Sequence, residues 1–306
     1  MSGLMLALQG AVAQGVLWGI MVLGVYITYR LLDIADLTVD GSFALGGCVC
    51  AVMILNHNVD PAVALLFATI AGALAGAVTG ALHTVFEIPA ILAGILTQIA
   101  LWSVNLRVMG GKSNMPLLKT NTVISRMVDM TGLSQSQASL AVGIVVALIM
   151  VALLYWFFGT EIGSALRATG NNEDMIRALG VNTKMTKMIA LMLSNALVGL
   201  AGGLVCQSQK YADINMGTGA IVIGLAAIVI GEVLMGRFHW FASRLASAVV
   251  GAVVYFLIRA IVLQLGMNAN DMKLLSAVIV ALALCFPVAA GKWRIRKSYS
   301  EDGGDE

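Results

Sequence analysis

The chain has 306 residues, 59% hydrophobic and only 11% charged, with a net charge of +2 and a mean hydropathy of +0.92. Water-soluble domains carry about a quarter of their residues charged, so a large soluble enzyme or binding domain is excluded and the bilayer is the solvent this composition fits. The small net charge gives no sign of a nucleic-acid partner, and none is expected.

At roughly 20 apolar residues per crossing, the sequence predicts an all-α polytopic membrane protein with about nine spans (roughly eight to ten). The apolar runs lie near residues 4–29, 43–55, 62–83, 90–108 and 138–158, then 188–208, 217–235, 245–265 and 274–290. The first has no Lys or Arg ahead of it, so it lacks the charged region of a cleavable signal and is expected to remain as a span. The second is short for a crossing and follows the polar run DIADLTVDGS. That pattern predicts a discontinuous or re-entrant helix near 33–43, with Asp40 or Ser42 capping the helix that follows. Asp36 and Asp40 read in two ways: as part of a gate or solute path, or as solvated carboxylates on an interfacial turn. In the third run, Gly72, Gly76 and Gly80 recur every four residues, a spacing that lets helices approach closely, and Gly199 and Gly203 repeat it.

Residues 109–137 form the longest external loop, either a rim for a docking protein or a plain solvated connector. Within it, Gly110-Gly111-Lys112-Ser113 imitates the end of a phosphate-binding loop. Leu106 stands where the first glycine must be and no strand precedes it, so no ATP site is expected here. Residues 160–187 then form a polar island with seven charges between two apolar runs. Asn171 or Asn172 can cap a helix whose first turn holds Glu173 and Asp174, where the helix dipole favours negative charge. Arg177 falls near its end, and Gly180 can take the left-handed C′ position. At about two turns this helix is too short to be stable alone. It is expected to show Met175, Ile176 and Leu179 on one side and to dock into something else.

Positive residues concentrate in the island (Arg167, Arg177, Lys184, Lys187), at Arg237 and Arg244, and in the tail (Lys292, Arg294, Arg296, Lys297). The intervening loops of this half offer only Lys210 and Lys273, so the island and C-terminus are predicted to be cytoplasmic. The N-terminus and the loop 109–137 then fall outside, although Arg107, Lys112, Lys119 and Arg126 count mildly against that placement. The chain divides into one transmembrane domain, residues 1–291, and a charged tail, residues 292–306.

Within spans, the amides of Gln98, Asn105 and Asn195 either meet a solute or join helices. Glu232 lies about one turn from the cytoplasmic end, within reach of water or loosely of Arg237, and Arg259 can snorkel toward the outer face. Cys48, Cys50, Cys206 and Cys285 all lie in apolar runs and read as buried small hydrophobes. With His57, His83 and His239 far apart in sequence, neither a metal site nor a catalytic cluster is expected.

The run Ala165-Leu166-Arg167-Ala168, with Gly170, Asn172 and Ala178-Leu179-Gly180-Val181-Asn182, resembles the cytoplasmic coupling segment of ABC importer permeases of the branched-chain amino acid and ribose type. The run DLTVDGS at 36–42 resembles the amino-acid-type, tryptophan/tyrosine-type branch of that family, and the likeness extends over about residues 15–290. It implies a permease subunit in the bacterial cytoplasmic (inner) membrane that forms the pathway for uptake of a small solute, an amino acid or related compound. It further implies no enzyme activity in this chain and no cofactor. Two copies of a separate ABC ATPase subunit would carry ATP and Mg, a second permease copy would complete a homodimer, and an extracytoplasmic solute-binding protein would deliver the solute. On this likeness the ATPase-coupling surface comprises Glu173, Asp174, Met175, Ile176, Arg177, Leu179 and Gly180. The solute-path candidates are Asp36, Asp40, Gln98, Asn105, Asn195 and Glu232. A stand-alone secondary transporter or channel is the alternative, but it leaves the island helix without purpose. A membrane enzyme would need a cluster of catalytic groups that these residues do not form.

Overall fold

A computed structural model of the chain describes residues 2–118, 120–235, 240–267, 271, 274–282 and 285. Arg237, His239, Lys273 and the charged tail lie outside the described residues. Helix α1 (Ser2–Tyr26) passes into a π-helical turn (Ile27–Leu31), and helix resumes, after a non-helical stretch, with α2 (Thr38–Leu55). Then come α3 (Pro61–Thr84), α4 (Ala90–Val108), β1 (Asn114–Pro116), α5 (Val123–Thr131) and α6 (Gln135–Phe158). The polar island supplies α7 (Glu161–Asn171) and α8 (Glu173–Ala178), followed by α9 (Thr183–Gln209), β2 (Tyr211–Asp213), α10 (Ala220–Met235) and α11 (Phe241–Gln264).

Among the described residues, seven helices are long and apolar enough to cross a membrane. Helix α10 is apolar but shorter, at 16 residues. Residues 274–282 are again helical, and most of the remainder of that apolar run lies outside the described residues. The second crossing starts at Thr38, not near residue 43, which gives it 18 residues. Its polar first turn is buried and partnered, so hydropathy alone placed the start too late.

The bundle is built in two shells. The spanning windows of α1, α2 and α9 are 83%, 78% and 72% buried, against 33%, 28% and 22% for α3, α4 and α6. The central helices are therefore packed on all sides, while the outer ones present apolar side chains such as Leu66, Ile70, Leu74 and Leu148 outward. That outer surface suits lipid, which offers little hydrophobic drive for helix association and leaves close packing to do the work. The glycine ridge of α3 supplies such packing. A Cβ on Gly72 or Gly76 would fall on the backbone carbonyls of Asn195 or Leu191, and one on Gly80 would lie 3.3 Å from the Met188 Cα, all on α9. Gly199 faces back from α9, within 3.1 Å of the Gly72 Cα by the same measure.

The two ends of the bundle differ. At one, β1 pairs antiparallel with β2 (Asn114 opposite Asp213), and Arg126 bonds the Asp60 carboxylate at 2.6 Å. Gln207 accepts from the Val123 amide at 2.8 Å and donates to the Pro61 carbonyl at 2.9 Å. Residues 109–134 are thus folded onto the bundle end as β1 and α5, in place of a solvated connector. At the other end lie the island, the Lys184–Glu87 ion pair at 2.9 Å and the Arg30–Glu232 pair at 2.7 Å. Gly170 of α7 packs there directly on the Leu31 carbonyl, leaving no room for a Cβ.

Of the cysteines, Cys48, Cys50 and Cys206 are buried as expected, but Cys285 is exposed. Its apolar run shows one side outward, so hydropathy did not imply burial within this chain.

Candidate functional site

The island helix α8 has the punctuation its sequence predicts. Asn172 has extended backbone (φ −156°), and its side chain accepts from the Met175 amide at 3.0 Å. At the other end, Gly180 (φ +86°) donates to the Arg177 carbonyl and Val181 to the Ile176 carbonyl, the paired bonds of a Schellman stop. Between these caps Glu173 binds two cations: Arg177 one turn on at 2.8 Å, and Lys187 of α9 at 2.5 Å. The Lys187 hydrogen bond is the chief cause holding the Glu173 carboxyl below its ordinary value of 4.5, with the Lys187 and Arg177 charges and a Thr183 hydrogen bond adding to it. The Lys184 hydrogen bond does the same to Glu87 nearby.

Met175 and Leu179 are 55% and 70% exposed, whereas Ile176 is 6% exposed. The expectation of an exposed trio is therefore corrected: Ile176 faces the protein and anchors α8, and only Met175 and Leu179 are presented. Ile162 of α7 and Met185 of α9 are also exposed at this end of the bundle. Helix α7 itself had no clear sequence signal. Its Thr160 cap accepts from the Gly163 amide at 3.3 Å, and Arg167 sits 5.2 Å from the centre of the Phe241 ring.

Deeper in the bundle, Asp36 and Asn195 are drawn together. Asn195 Nδ2 donates to Asp36 Oδ2 at 2.6 Å and to the Leu191 carbonyl at 3.0 Å, while Ser42 Oγ donates to Asn195 Oδ1 at 2.6 Å. Asp36 Oδ1 accepts from the Thr38 amide at 3.0 Å, and the Thr38 and Thr79 hydroxyls are 2.7 Å apart. Asp36 is 2% exposed and Asn195 is fully buried, so Asp36 is no solvated carboxylate. The non-helical stretch before α2 is pinned by this network to α3 and α9. Asp36, not Asp40 or Ser42, supplies the side chain that accepts at the start of α2.

Asp40 caps a different helix. Its two carboxylate oxygens accept from the amides of Gly219 and Ile221, at 2.8 and 2.9 Å, at the N-terminus of α10. Two of the four orphan donors of that helix are thereby satisfied. Asp40, Gln98 and Asn105 also line one cavity of about 310 Å³, together with Trp102, Asn215 and Thr218. Asn105 donates to the Gly41 carbonyl at 3.4 Å, and its Oδ1 is buried without a partner. Three of the six polar candidates at membrane depth therefore meet at one cavity, between α2, α4 and the turn leading into α10. Glu232 stands apart, bonded to Arg30 at the island end; the looser pairing with Arg237 falls outside the described residues. A second and larger cavity, about 800 Å³, is lined by α1, the end of α9 with β2, the turn before α10 and its first residues, Arg259 of α11, and Ser276 with Ala277. Sequence reasoning did not find it, because its residues come from five separate stretches of chain.

Among the described residues there is no group of three or more metal-ligating side chains.

Comparison with known proteins fits this architecture. Residues 7–284 match the family described as "Branched-chain amino acid transport system / permease component". The "Tyrosine transport system permease protein" of Clostridioides difficile is 37% identical over 87% of this chain and 86% of its own length. An uncharacterized protein of Rickettsia prowazekii is 32% identical over 90% of this chain and 95% of its own. The ribose import permease of Escherichia coli is 26% identical over 81% and 75%. Together with a helical bundle holding seven membrane-length apolar helices, these matches place the chain, as a multi-pass membrane protein, in the branched-chain amino acid and ribose type family of ABC transporter permease components.

Proposed function

We propose that the chain is the transmembrane subunit of an ABC importer, with α8 as the lever that couples the solute path to a separate ATPase subunit. One observation carries this reading. A six-residue helix, capped at both ends, holds Met175 and Leu179 exposed at the polar end of the bundle. Apolar groups held rigidly out into water, among charges, suit insertion into a partner's groove. The rim charges Asp174 and Arg177 would tune partner choice more than affinity. Ile176 and the Glu173–Lys187 pair tie the lever to α9, which packs along α3 and α2 in the centre of the bundle.

On this reading two ATPase copies carry ATP and Mg, and this chain does no covalent chemistry. Two permease copies form a homodimer around the path, and an extracytoplasmic binding protein feeds it. The solute is a small molecule of the amino acid class, a reading supported by the relative whose name specifies tyrosine transport. The island faces the cytoplasm of a bacterial inner membrane, in keeping with its four basic residues. Helix α10 and the apolar run 274–290 bring the spans to nine, and residues 1–291 act as one permease domain. The interruption before α2 and the short α10 are the discontinuous elements that move when the halves rock between outward- and inward-open states.

The test is to replace Met175 and Leu179 together by Glu in the tagged full-length chain and to measure copurification of an ABC ATPase from the native host. We expect recovery of the ATPase to fall at least about tenfold, the scale for losing two central contacts, while the chain remains membrane-inserted and monodisperse. Undiminished, stoichiometric recovery would show that α8 is not the coupling surface.

A further inference from the structure

The larger cavity carries a chemical signature of its own. Its polar wall includes Arg259, Trp18, Gln14 and Gln209, and no carboxylate lines it among the described residues. Trp18 is 8% exposed, and its Nε1–H is buried with no acceptor. Arg259 takes part in no ion pair among the described residues; its guanidinium instead lies 5.7 Å from the centre of the Phe256 ring. The Trp18 ring stands 5.4 Å from the same Phe256 ring, so one aromatic side chain backs both donors. A guanidinium cannot give up its proton, so this wall carries a fixed positive charge with no carboxylate beside it among the described residues.

We propose that this cavity is a solute-binding subsite that holds a carboxylate, with Arg259 as its cationic anchor and the Gln14 and Gln209 amides beside it as neutral donors. Resting on the permease reading above, it names the solute as a monocarboxylate with an apolar body. The planar fork of a guanidinium matches a carboxylate in two parallel hydrogen bonds, which an ammonium could not do. One guanidinium balances a single negative charge, whereas a phosphate dianion would need more cations. The apolar portion of the wall, Val205, Met216, Val222 and Ile223, suits the body of the solute. The volume, about 800 Å³, lies in the range of small-molecule sites. The Asp40–Asn105 cavity has the opposite character, with an acceptor, Asn105 Oδ1, unfilled.

The experiment uses the full chain in lipid nanodiscs, with binding of L-tyrosine, tyramine and inorganic phosphate read by ligand-observed NMR. L-tyrosine is expected to bind, and tyramine, which lacks the carboxylate, to bind at least tenfold more weakly. Arg259→Gln should reduce L-tyrosine binding to the tyramine level, and Arg259→Lys should retain part of it. If L-tyrosine does not bind, binds no better than tyramine, or is unmoved by Arg259→Gln, the subsite is refuted. Phosphate binding of equal strength would refute the carboxylate assignment. ATPase copurification is read in parallel on the same variants and should be unchanged. Its absence from the unsubstituted chain would count against the permease reading and leave the binding result to stand alone.

Discussion

At the scale of single residues, two carboxylates hold the interior together, each on a different job. Asp40 belongs to the first turn of α2 but satisfies amides at the start of α10, 179 and 181 residues away. Asp36 serves the start of α2 and receives Asn195 from α9, 159 residues away. Replacing Asp36 by Ala would leave the Thr38 amide and one Asn195 N–H buried without acceptors. We expect a loss of about 2 kcal/mol, seen as a lower Tm in detergent, with Asp36→Asn also destabilised because its one oxygen can serve only one of the two donors and its NH2 then faces the other. An unchanged Tm for Asp36→Ala would show that the network is not structural. The sequence made these acids conspicuous as polar groups in an apolar setting, but it could not name their partners. Every one of those bonds but the short Asp36–Thr38 contact is long-range, and nothing local distinguishes a capping carboxylate from a solvated one.

At the scale of elements, α8 was legible because its signals are local: Asn172, two acids and Gly180 lie within nine residues and act on their own neighbours. The direction of Ile176 was not legible, since it depends on how α7 and α9 bring the island back onto the bundle. The start of α2 was missed for a related reason, its Thr38, Asp40 and Ser42 being polar in sequence yet satisfied inside the fold. The anchor of α8 also has a defined pH range. Glu173 has a folded pKa below its ordinary 4.5 because of the Lys187 hydrogen bond, so its stabilising contribution is complete above that value and is lost as pH falls through the lowered pKa. Hydrogen exchange of residues 173–179 should therefore be steady from pH 7 down to about 5, after correction for intrinsic rates, and accelerate only at more acid pH. Glu173→Gln should show the faster exchange already at pH 7. Equal protection in the variant and the parent at pH 7 would remove Glu173 from the anchor.

At the scale of the molecule, the arrangement is polarised. The cavities that hold Asp40 and Arg259 are lined by α4, the end of α9, the turn before α10 and Arg259 of α11, in the half of the bundle that holds the β1–β2 pair. At the opposite end the Arg30–Glu232 pair ties the π-helical turn after α1 to the end of α10, beside the island. On the proposed importer reading, the half that holds the β1–β2 pair is the one that receives the solute, and the island end is the one that meets the ATPase. The most direct test of that account is uptake into proteoliposomes containing the purified chain, with and without its copurified ATPase and binding protein. The account predicts solute accumulation only when the ATPase is present and ATP is supplied. Accumulation by the chain alone, driven by a proton or sodium gradient, would contradict it and make the protein a secondary carrier.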